Sequence, residues 1–255
     1  MNFHEYGQQN KKIVVILHGS CMAYDMYEES IEILKHSFHV IIPALPGYDL
    51  DTSEDFTSVE EVVLKLTDWL LSHSFNSIAC LYGLSMGGSM VLRILAESRL
   101  KVETAVVDGG ITPYDYPRIL TRLIALRDYL TVQLGRFNKR LLEFAFPVEK
   151  YSQQGLDYMF QVMQHMSSRT IWRSFDSCNN YSMPQPIPAV SAKCEYWYGE
   201  KEKKARKLDI AYVKKNFPNF VFREIPDMEH AEYGLMHPQS FADDLTKLIK
   251  QSQTA

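Results

Sequence analysis

Short apolar runs rich in β-branched residues alternate with longer stretches of helical spacing along most of this chain. Six of the runs are typical of buried strands, at residues 13–17, 40–42, 77–82, 102–107, 194–198 and 220–225. Between them, stretches such as residues 58–72 repeat apolar side chains every three or four positions, as a helix packed on one face requires. Continuous apolar strands that alternate with helices are typical of a parallel sheet covered on both faces. The sequence therefore predicts an α/β fold with a mostly parallel sheet of about six strands.

Residues 112–188 interrupt this alternation, because they contain almost no strand signal and two clear helical patterns. A helical insertion between two strands of one sheet is expected to be a cap or lid, with a plain helical decoration as the alternative. We therefore expect a core formed by residues 1–111 and 189–255 and a cap formed by residues 112–188. The Met and aromatic side chains of the insertion are expected to form mostly its own core, and any that face the sheet would line an apolar pocket.

Composition excludes several classes of protein. Hydrophobic residues make up 46% of the 255 residues and charged residues 23%, which is ordinary for a globular chain. The net charge of −4 gives no reason to expect nucleic acid or an anionic membrane as a partner. The polar N-terminus shows no signal peptide, and no apolar run is long enough for a membrane span. Four scattered cysteines without a CxxC pair favour reduced thiols and a cytoplasmic location. The oligomeric state is open.

The segment Gly83-Leu84-Ser85-Met86-Gly87 has the pattern Gly-x-Ser-x-Gly. This pattern alone is weak, but here it follows a predicted buried strand and precedes a predicted helix. In that setting a tight turn presents the serine hydroxyl above the sheet edge, at a helix N-terminus that favours developing negative charge. Ser85 is therefore the candidate nucleophile, and the backbone N–H of Met86 is the candidate first donor to an oxyanion.

A serine hydroxyl needs a base to remove its proton, and His230 is the best-placed histidine for that role. It follows the predicted strand at residues 220–225 and a short loop. Sites in parallel α/β sheets assemble beyond the C-terminal ends of the strands, which is where this loop lies. We therefore predict that His230 is the catalytic base.

The third member of such a triad is a carboxylate that orients the imidazole. Glu202 lies in the loop after the predicted strand at residues 194–198 and is the first candidate. Asp108, directly after the strand at residues 102–107, is the alternative acid. Both keep the chain order of serine, acid and histidine that is expected with this kind of turn.

The first strand ends in His18-Gly19-Ser20-Cys21, which is expected to supply the second oxyanion donor. Gly19 would let the backbone turn so that the N–H of Ser20, or that of Cys21, faces Ser85. His18 is then a structural residue of the loop. Cys21 is a weak candidate for a catalytic thiol, because no helix begins immediately after it.

On these motifs the chain resembles the α/β-hydrolase family over nearly its full length. The matching pieces are His18-Gly19, PALPGY at 43–48, GLSMGG at 83–88, YGEKE at 198–202 and EHAEYGLMHPQSF at 229–241. The resemblance implies a helical cap, a Ser85 nucleophile, a His230 base, and Met86 and Ser20 as oxyanion donors. Glu202 departs from the aspartate that the family usually has.

The N-terminus departs from the full fold of this family as well. Only about a dozen residues precede the strand at 13–17. The first two antiparallel strands are therefore expected to be absent or reduced to one, as in compact esterases and monoacylglycerol-lipase-like members.

The function expected from these residues is serine-dependent cleavage of an acyl bond, most simply a carboxylic ester with a small to medium apolar group. No metal or cofactor is required for this chemistry, and the partner is a small-molecule acyl substrate. The same residues could serve a thioesterase, amidase, lactonase or C–C hydrolase, since the fold does not decide among these reactions. From different classes, the chain could be a non-catalytic receptor for a small molecule or a degenerate scaffold acting through protein contacts.

Overall fold

A seven-stranded sheet forms the centre of the molecule in the computed structural model, which describes residues 1–252. The strands of the protein are β1 (Asn2–Tyr6), β2 (Ile13–Leu17), β3 (His39–Ala44), β4 (Ser77–Ile78), β5 (Cys80–Leu84), β6 (Lys101–Val102), β7 (Thr104–Asp108), β8 (Lys193–Gly199) and β9 (Phe220–Ile225). The main sheet has the order β1-β3-β2-β5-β7-β8-β9. Six strands of this sheet are parallel, namely β3, β2, β5, β7, β8 and β9, which confirms the mostly parallel sheet. Strand β1 adds one antiparallel edge strand.

Two of the predicted strands are each divided into two pieces. The backbone N–H of Ala79 turns away to donate to the carbonyl of Ile13 at 2.9 Å, and this separates β4 from β5. The short strands β4 and β6 then pair with each other in a separate two-stranded parallel ribbon. The division depends on which strand each residue pairs with, so the local apolar pattern did not reveal it.

The helices lie between the strands as the alternation predicted. They are α1 (Glu28–Leu34), α2 (Val59–Ser72), α3 (Met86–Glu97), α4 (Arg118–Gly135), α5 (Lys139–Ala145), α6 (Val148–Tyr151), α7 (Gln153–His165), α8 (Ser168–Asn180), α9 (Lys207–Asn216), α10 (Glu232–Met236) and α11 (Pro238–Ser252). Short 3-10 turns occupy Tyr24–Tyr27 and Glu200–Glu202. Among the described residues, no helix is both long and apolar enough to cross a bilayer.

Both faces of the sheet are buried, because successive side chains of a strand point to opposite sides. In β2, Val15 and Leu17 pack into the apolar core that includes α2 and α3. Val14 and Ile16 pack into the core on the other face, which includes α1 and α11. This arrangement explains why the parallel strands read as uninterrupted apolar runs.

Residues 112–188 contain the five helices α4–α8 and no strand. Helix α7 buries Met159 and Met163, as expected for an insertion with its own core. Tyr116 and Phe144, in contrast, are exposed, and the Phe144 side chain is 89% accessible. Tyr116, which precedes α4, and Phe144 of α5 are therefore exceptions to the expectation that the Met and aromatic side chains form mostly the core of the insertion.

Candidate active site

Ser85 occupies a strained turn between β5 and α3. Its backbone lies at φ 52° and ψ −112°, a conformation that few residues other than glycine adopt. The Ser85 N–H donates to the carbonyl of Asp108 at 2.7 Å, which ties the turn to the end of β7. Of residues 78–92, Ser85 alone is not buried. The turn therefore presents a single hydroxyl at the end of an otherwise buried strand and helix.

Gly87 lets the first loop of the fold approach the start of α3. A Cβ atom at Gly87 would lie 2.1 Å from the carbonyl oxygen of Leu17, so no other residue fits there. A Cβ atom at Gly19 would meet the Cβ of Ser85 at 3.3 Å. The backbone of the loop after β2 thus lies directly beside Ser85.

Ser20 lies in the loop after β2, and Met86 directly follows Ser85; their N–H groups are the predicted oxyanion donors. The Ser20 hydroxyl contacts the sulfur of Met86 at 3.5 Å, which joins the loop to the helix. Met86 is the first residue of α3, so its N–H has no acceptor within the helix. The structure thus brings Ser20 and Met86 together through their side chains.

His18 holds this loop through hydrogen bonds of both ring nitrogens. Its Nε2 accepts a hydrogen bond from the Leu45 N–H at 3.2 Å, so the proton of the neutral ring is on Nδ1, which donates to the Gly19 carbonyl at 2.9 Å. Burial lowers the pKa of His18 to about 4 and keeps the ring neutral. Desolvation raises the pKa of the neighbouring Cys21 thiol to about 12, which disfavours a nucleophilic thiolate.

His230 and Glu202 form a close pair at the ends of neighbouring strands. The His230 Nδ1 lies 2.7 Å from the Glu202 Oε2, although the two residues are 28 positions apart. His230 precedes α10, and Glu202 ends the 3-10 turn after β8. Gly109 makes room for the pair, since a Cβ atom there would lie 2.8 Å from the imidazole of His230. This contact fixes the imidazole ring with Nδ1 toward the acid.

Three groups hold Glu202 in its ionised form. Burial alone would raise its pKa, but the charge and hydrogen bond of His230, the charge of Arg206 and the Gly199 N–H together hold the pKa below its usual range. The Gly199 N–H donates to Oε1 at 3.1 Å, and the Arg206 Nε lies 3.4 Å from Oε2. Glu202 is therefore a buried carboxylate whose charge is compensated.

Arg206, directly before α9, and Asp209 in α9 support Glu202, and sequence reasoning missed both. The Arg206 Nη1 donates to Asp209 at 3.2 Å, and Asp209 accepts from the N–H and hydroxyl of Thr112 at 2.8 and 3.0 Å. The one available signal was that Arg206 follows Glu202 by four positions, a spacing at which side chains meet on a helix. The network connects the acid loop to the start of the helical insertion.

Asp108, the alternative acid, lies beneath the pair and is bonded elsewhere. Its Oδ2 accepts from the Tyr82 hydroxyl at 2.8 Å, whereas Glu202 is the carboxylate bonded to His230. Burial, and secondly the charge of Glu202, raise the pKa of Asp108 to about 7. The geometry favours Glu202 over Asp108 as the partner of the imidazole.

Replacing Asp108 with asparagine is expected to flatten the pH dependence of stability. Because the folded-state pKa of about 7 exceeds the usual unfolded value, the folded state binds more protons between about pH 4 and pH 7. The free energy of unfolding of the wild type should therefore fall as the pH rises through that window. Thermal unfolding of Asp108→Asn should show a smaller fall, while the surface variant Asp243→Asn keeps the wild-type slope. An unchanged slope in Asp108→Asn would contradict the assignment.

Comparison with known protein families shows which family the chain belongs to. The profile of the alpha/beta hydrolase family matches residues 14–244, so the chain belongs to this family. The predicted fold and enzyme class, an α/β-fold hydrolase, are confirmed. Within the described residues, no group of three or more His, Cys, Asp or Glu side chains is placed to hold a metal ion.

Particular relatives include esterases. A pimeloyl-[acyl-carrier protein] methyl ester esterase of Legionella pneumophila (strain Corby) is 22% identical over 98% of this chain and 100% of its own length. A solved α/β-hydrolase family protein from Desulfitobacterium hafniense superposes with a TM-score of 0.76 at 18% identity, covering 97% of this chain and 100% of that one. MenH from S. aureus superposes with a TM-score of 0.70 at 19% identity, covering 99% and 98%. These structural likenesses establish the fold.

Proposed function

We propose that this protein hydrolyses carboxylic esters through an acyl-enzyme on Ser85. The observation that supports it most is the His230–Glu202 contact at 2.7 Å on the same sheet edge as the strained Ser85 turn. The relative from Legionella pneumophila named above is a methyl ester esterase, which favours an ester over the other acyl bonds.

In the first half of the reaction, the Ser85 oxygen attacks the ester carbonyl carbon while His230 Nε2 takes the hydroxyl proton. The N–H groups of Met86 and Ser20 stabilise the negative charge that forms on the carbonyl oxygen, each contributing about 3 kcal/mol. The tetrahedral intermediate then expels the alcohol, which receives the proton from His230. The product is an acyl group bonded to Ser85.

In the second half, water replaces the alcohol. His230 takes a proton from the water as it attacks the acyl carbon, and the same pair of N–H groups holds the second oxyanion. Collapse of this intermediate releases the carboxylic acid and returns the proton to the Ser85 oxygen. Glu202 stays ionised throughout and stabilises the imidazolium that forms twice in the cycle.

The helical insertion at residues 112–188 is proposed to cap this site, with residues 1–111 and 189–255 as the core. Tyr151 of α6 supports this, because its hydroxyl donates to the carbonyl of His230 at 3.0 Å. A groove of about 530 Å³ between α1 and α7 adjoins Tyr151 and has Met26, Leu156 and Met159 in its walls. The groove also has acidic side chains, which disfavour an anionic group. We propose that the group bound beside Ser85 is small to medium and apolar, because the helical insertion is rich in Met and aromatic side chains. All four cysteines are free, which supports a cytoplasmic location.

A fluorophosphonate probe tests the proposal directly, because it reacts with an activated serine and leaves a stable adduct. We expect mass spectrometry to find the adduct on Ser85, and a panel of matched acyl compounds to be cleaved in the order ester before thioester and amide. Absence of the adduct would overturn the proposal and favour a small-molecule receptor on the same scaffold. An adduct with faster cleavage of thioester, amide, lactone or β-diketone would keep Ser85 and replace the ester.

A further inference from the structure

The outer side of the helical insertion exposes an unusual run of large apolar side chains, here called the outer stripe. On α4 these side chains recur every three or four positions, so they share one face of the helix. The outer stripe consists of Ile119, Leu123, Leu126, Leu130, Leu134, Phe137, Leu141 and Phe144. It therefore continues from α4 through the connecting turn to α5.

This exposure is concentrated rather than scattered. Within residues 1–252, fourteen large apolar side chains are exposed, and ten of them lie between residues 119 and 148. Isolated apolar residues on a surface are ordinary, but contiguous patches of this kind mark interaction sites. The outer stripe thus requires a partner that covers it.

The inner side of α4 explains why the leucines point outward. Helix α4 packs against α8, and its buried positions there are the small residues Thr121 and Ala125. The Thr121 hydroxyl donates to Asn180 at 2.6 Å, and Tyr129 meets Trp172 edge to face. Helix α4 therefore contacts the rest of the molecule through the opposite face, and the outer stripe is not the face that packs on α8.

The charge around the outer stripe is opposite in sign to that of the whole chain. Residues 118–145 contain six Arg or Lys and two Asp or Glu side chains, a net charge of +4, whereas the chain has a net charge of −4. Arg118 and Arg140 are exposed, and no carboxylate among the described residues lies within ion-pair distance of either. Arg122, Arg127 and Lys139, in contrast, pair with carboxylates of this segment and of α7 and α8. The outer stripe is therefore an apolar face flanked by Arg118 and Arg140, which are unpaired within residues 1–252.

We propose that the outer stripe docks this protein on an anionic lipid surface. An exposed apolar helix face flanked by arginines is the arrangement by which helices lie in the interface of a bilayer. A second copy of the chain is a poorer occupant, because it would bring one net positive surface against another. Phe137 and Phe144, the most exposed members at 77% and 89%, are suited to the interface between headgroups and acyl chains.

Vesicle co-sedimentation tests the proposal with the full chain. Wild-type protein should bind vesicles of equal parts phosphatidylcholine and phosphatidylglycerol, and bind phosphatidylcholine vesicles much more weakly. The double variant Leu123→Asn/Leu130→Asn should lose about tenfold or more in partitioning. Arg118→Gln/Arg140→Gln should lose about tenfold or more on the anionic vesicles, with added salt weakening the wild type similarly.

A matched control separates the outer stripe from general surface polarity. Leu64 and Leu208 lie outside the insertion and are 49% and 44% exposed, against 57% for Leu123 and 50% for Leu130. The double variant Leu64→Asn/Leu208→Asn should bind vesicles as the wild type does. All of these changes are at exposed positions, and thermal unfolding of each variant verifies that it is folded.

Three results would overturn the proposal. They are no binding of the wild type to anionic vesicles, equal loss in the control and stripe variants, and a dimer in solution that the stripe variants dissociate without any vesicle binding. The outcome is independent of the acyl chemistry, since Ser85→Ala should bind vesicles normally. Failure of docking and failure of the proposed hydrolysis are therefore distinguishable.

Discussion

Replacing Ser85 with alanine is expected to lower kcat/KM for an activated ester by about four orders of magnitude or more, leaving the rate near that of the site without a nucleophile. The hydroxyl is the atom that becomes acylated, so neither His230 nor the backbone donors can compensate for its loss. Steady-state hydrolysis of a chromogenic short-chain ester measures the effect, and the fluorophosphonate adduct should disappear together with turnover.

The backbone of Ser85 requires a second variant, because alanine at φ 52° keeps the strain of the turn. Ser85→Gly also removes the hydroxyl, but glycine adopts positive φ without steric cost. We expect Ser85→Gly to be as inactive as Ser85→Ala and at least as stable to thermal unfolding. Exposed Ser72→Ala at the end of α2 should retain full activity. Substantial ester turnover by folded Ser85→Gly would rule out the acyl-enzyme.

The parallel sheet was predictable because its strands are buried on both faces and therefore read as apolar runs. The local pattern did not reveal strand β1, since Asn2–Tyr6 is a half-exposed edge strand of mixed polarity, and only the resemblance to the family allowed for one antiparallel strand there. Its place in the sheet comes from antiparallel pairing with β3, and Phe3 stacks on Trp69 of α2 at 3.9 Å between ring centroids. Such contacts join residues distant in sequence, and local pattern does not report them.

In the candidate site, too, the features that follow from local sequence were predictable and those that depend on contacts between distant residues were not. The places of the Gly-x-Ser-x-Gly turn and of His230 and Glu202 at one sheet edge were predictable, because each lies within a few residues of the end of a strand that a local pattern identifies. The support given by Arg206 and Asp209 was not, since it depends on how α9 packs beside the end of β7. The two candidate acids differ in their bonding only in the folded chain, where the Tyr82 hydroxyl donates to Asp108 and His230 contacts Glu202.

The proposed docking surface depends on local charge, which the net charge of the chain does not report. The value of −4 is the sum of +4 over residues 118–145 and −8 over the rest of the chain, and it gave no reason to expect an anionic partner. The helical spacing of the leucines in α4 was visible in the sequence, but periodicity does not tell which face is inside. The inner face of α4 is the one with the small residues Thr121 and Ala125, because these allow close packing on α8.

Replacing Glu202 with glutamine is expected to lower kcat/KM by about three to four orders of magnitude, while Asp108→Asn stays close to the wild type. Glutamine can still accept the Gly199 N–H bond, so the loop should keep its shape. It has no charge to stabilise the imidazolium, however, and its amide can hold the ring in the wrong tautomer. The comparison of the two isosteric variants therefore isolates charge at each position from side-chain volume.

Glu202→Asp tests whether the length of the acidic side chain matters for its contact with His230. The carboxylate keeps its charge but is one methylene shorter, and the 2.7 Å contact with His230 would lengthen unless the loop moves. We expect activity between that of the wild type and that of Glu202→Gln, measured as kcat/KM over a pH series. If Asp108→Asn is inactive and Glu202→Gln retains normal turnover, Asp108 is the acid and the His230–Glu202 contact is only structural. If Glu202→Asp equals the wild type, charge alone matters and the position tolerates the residue that the family usually has there.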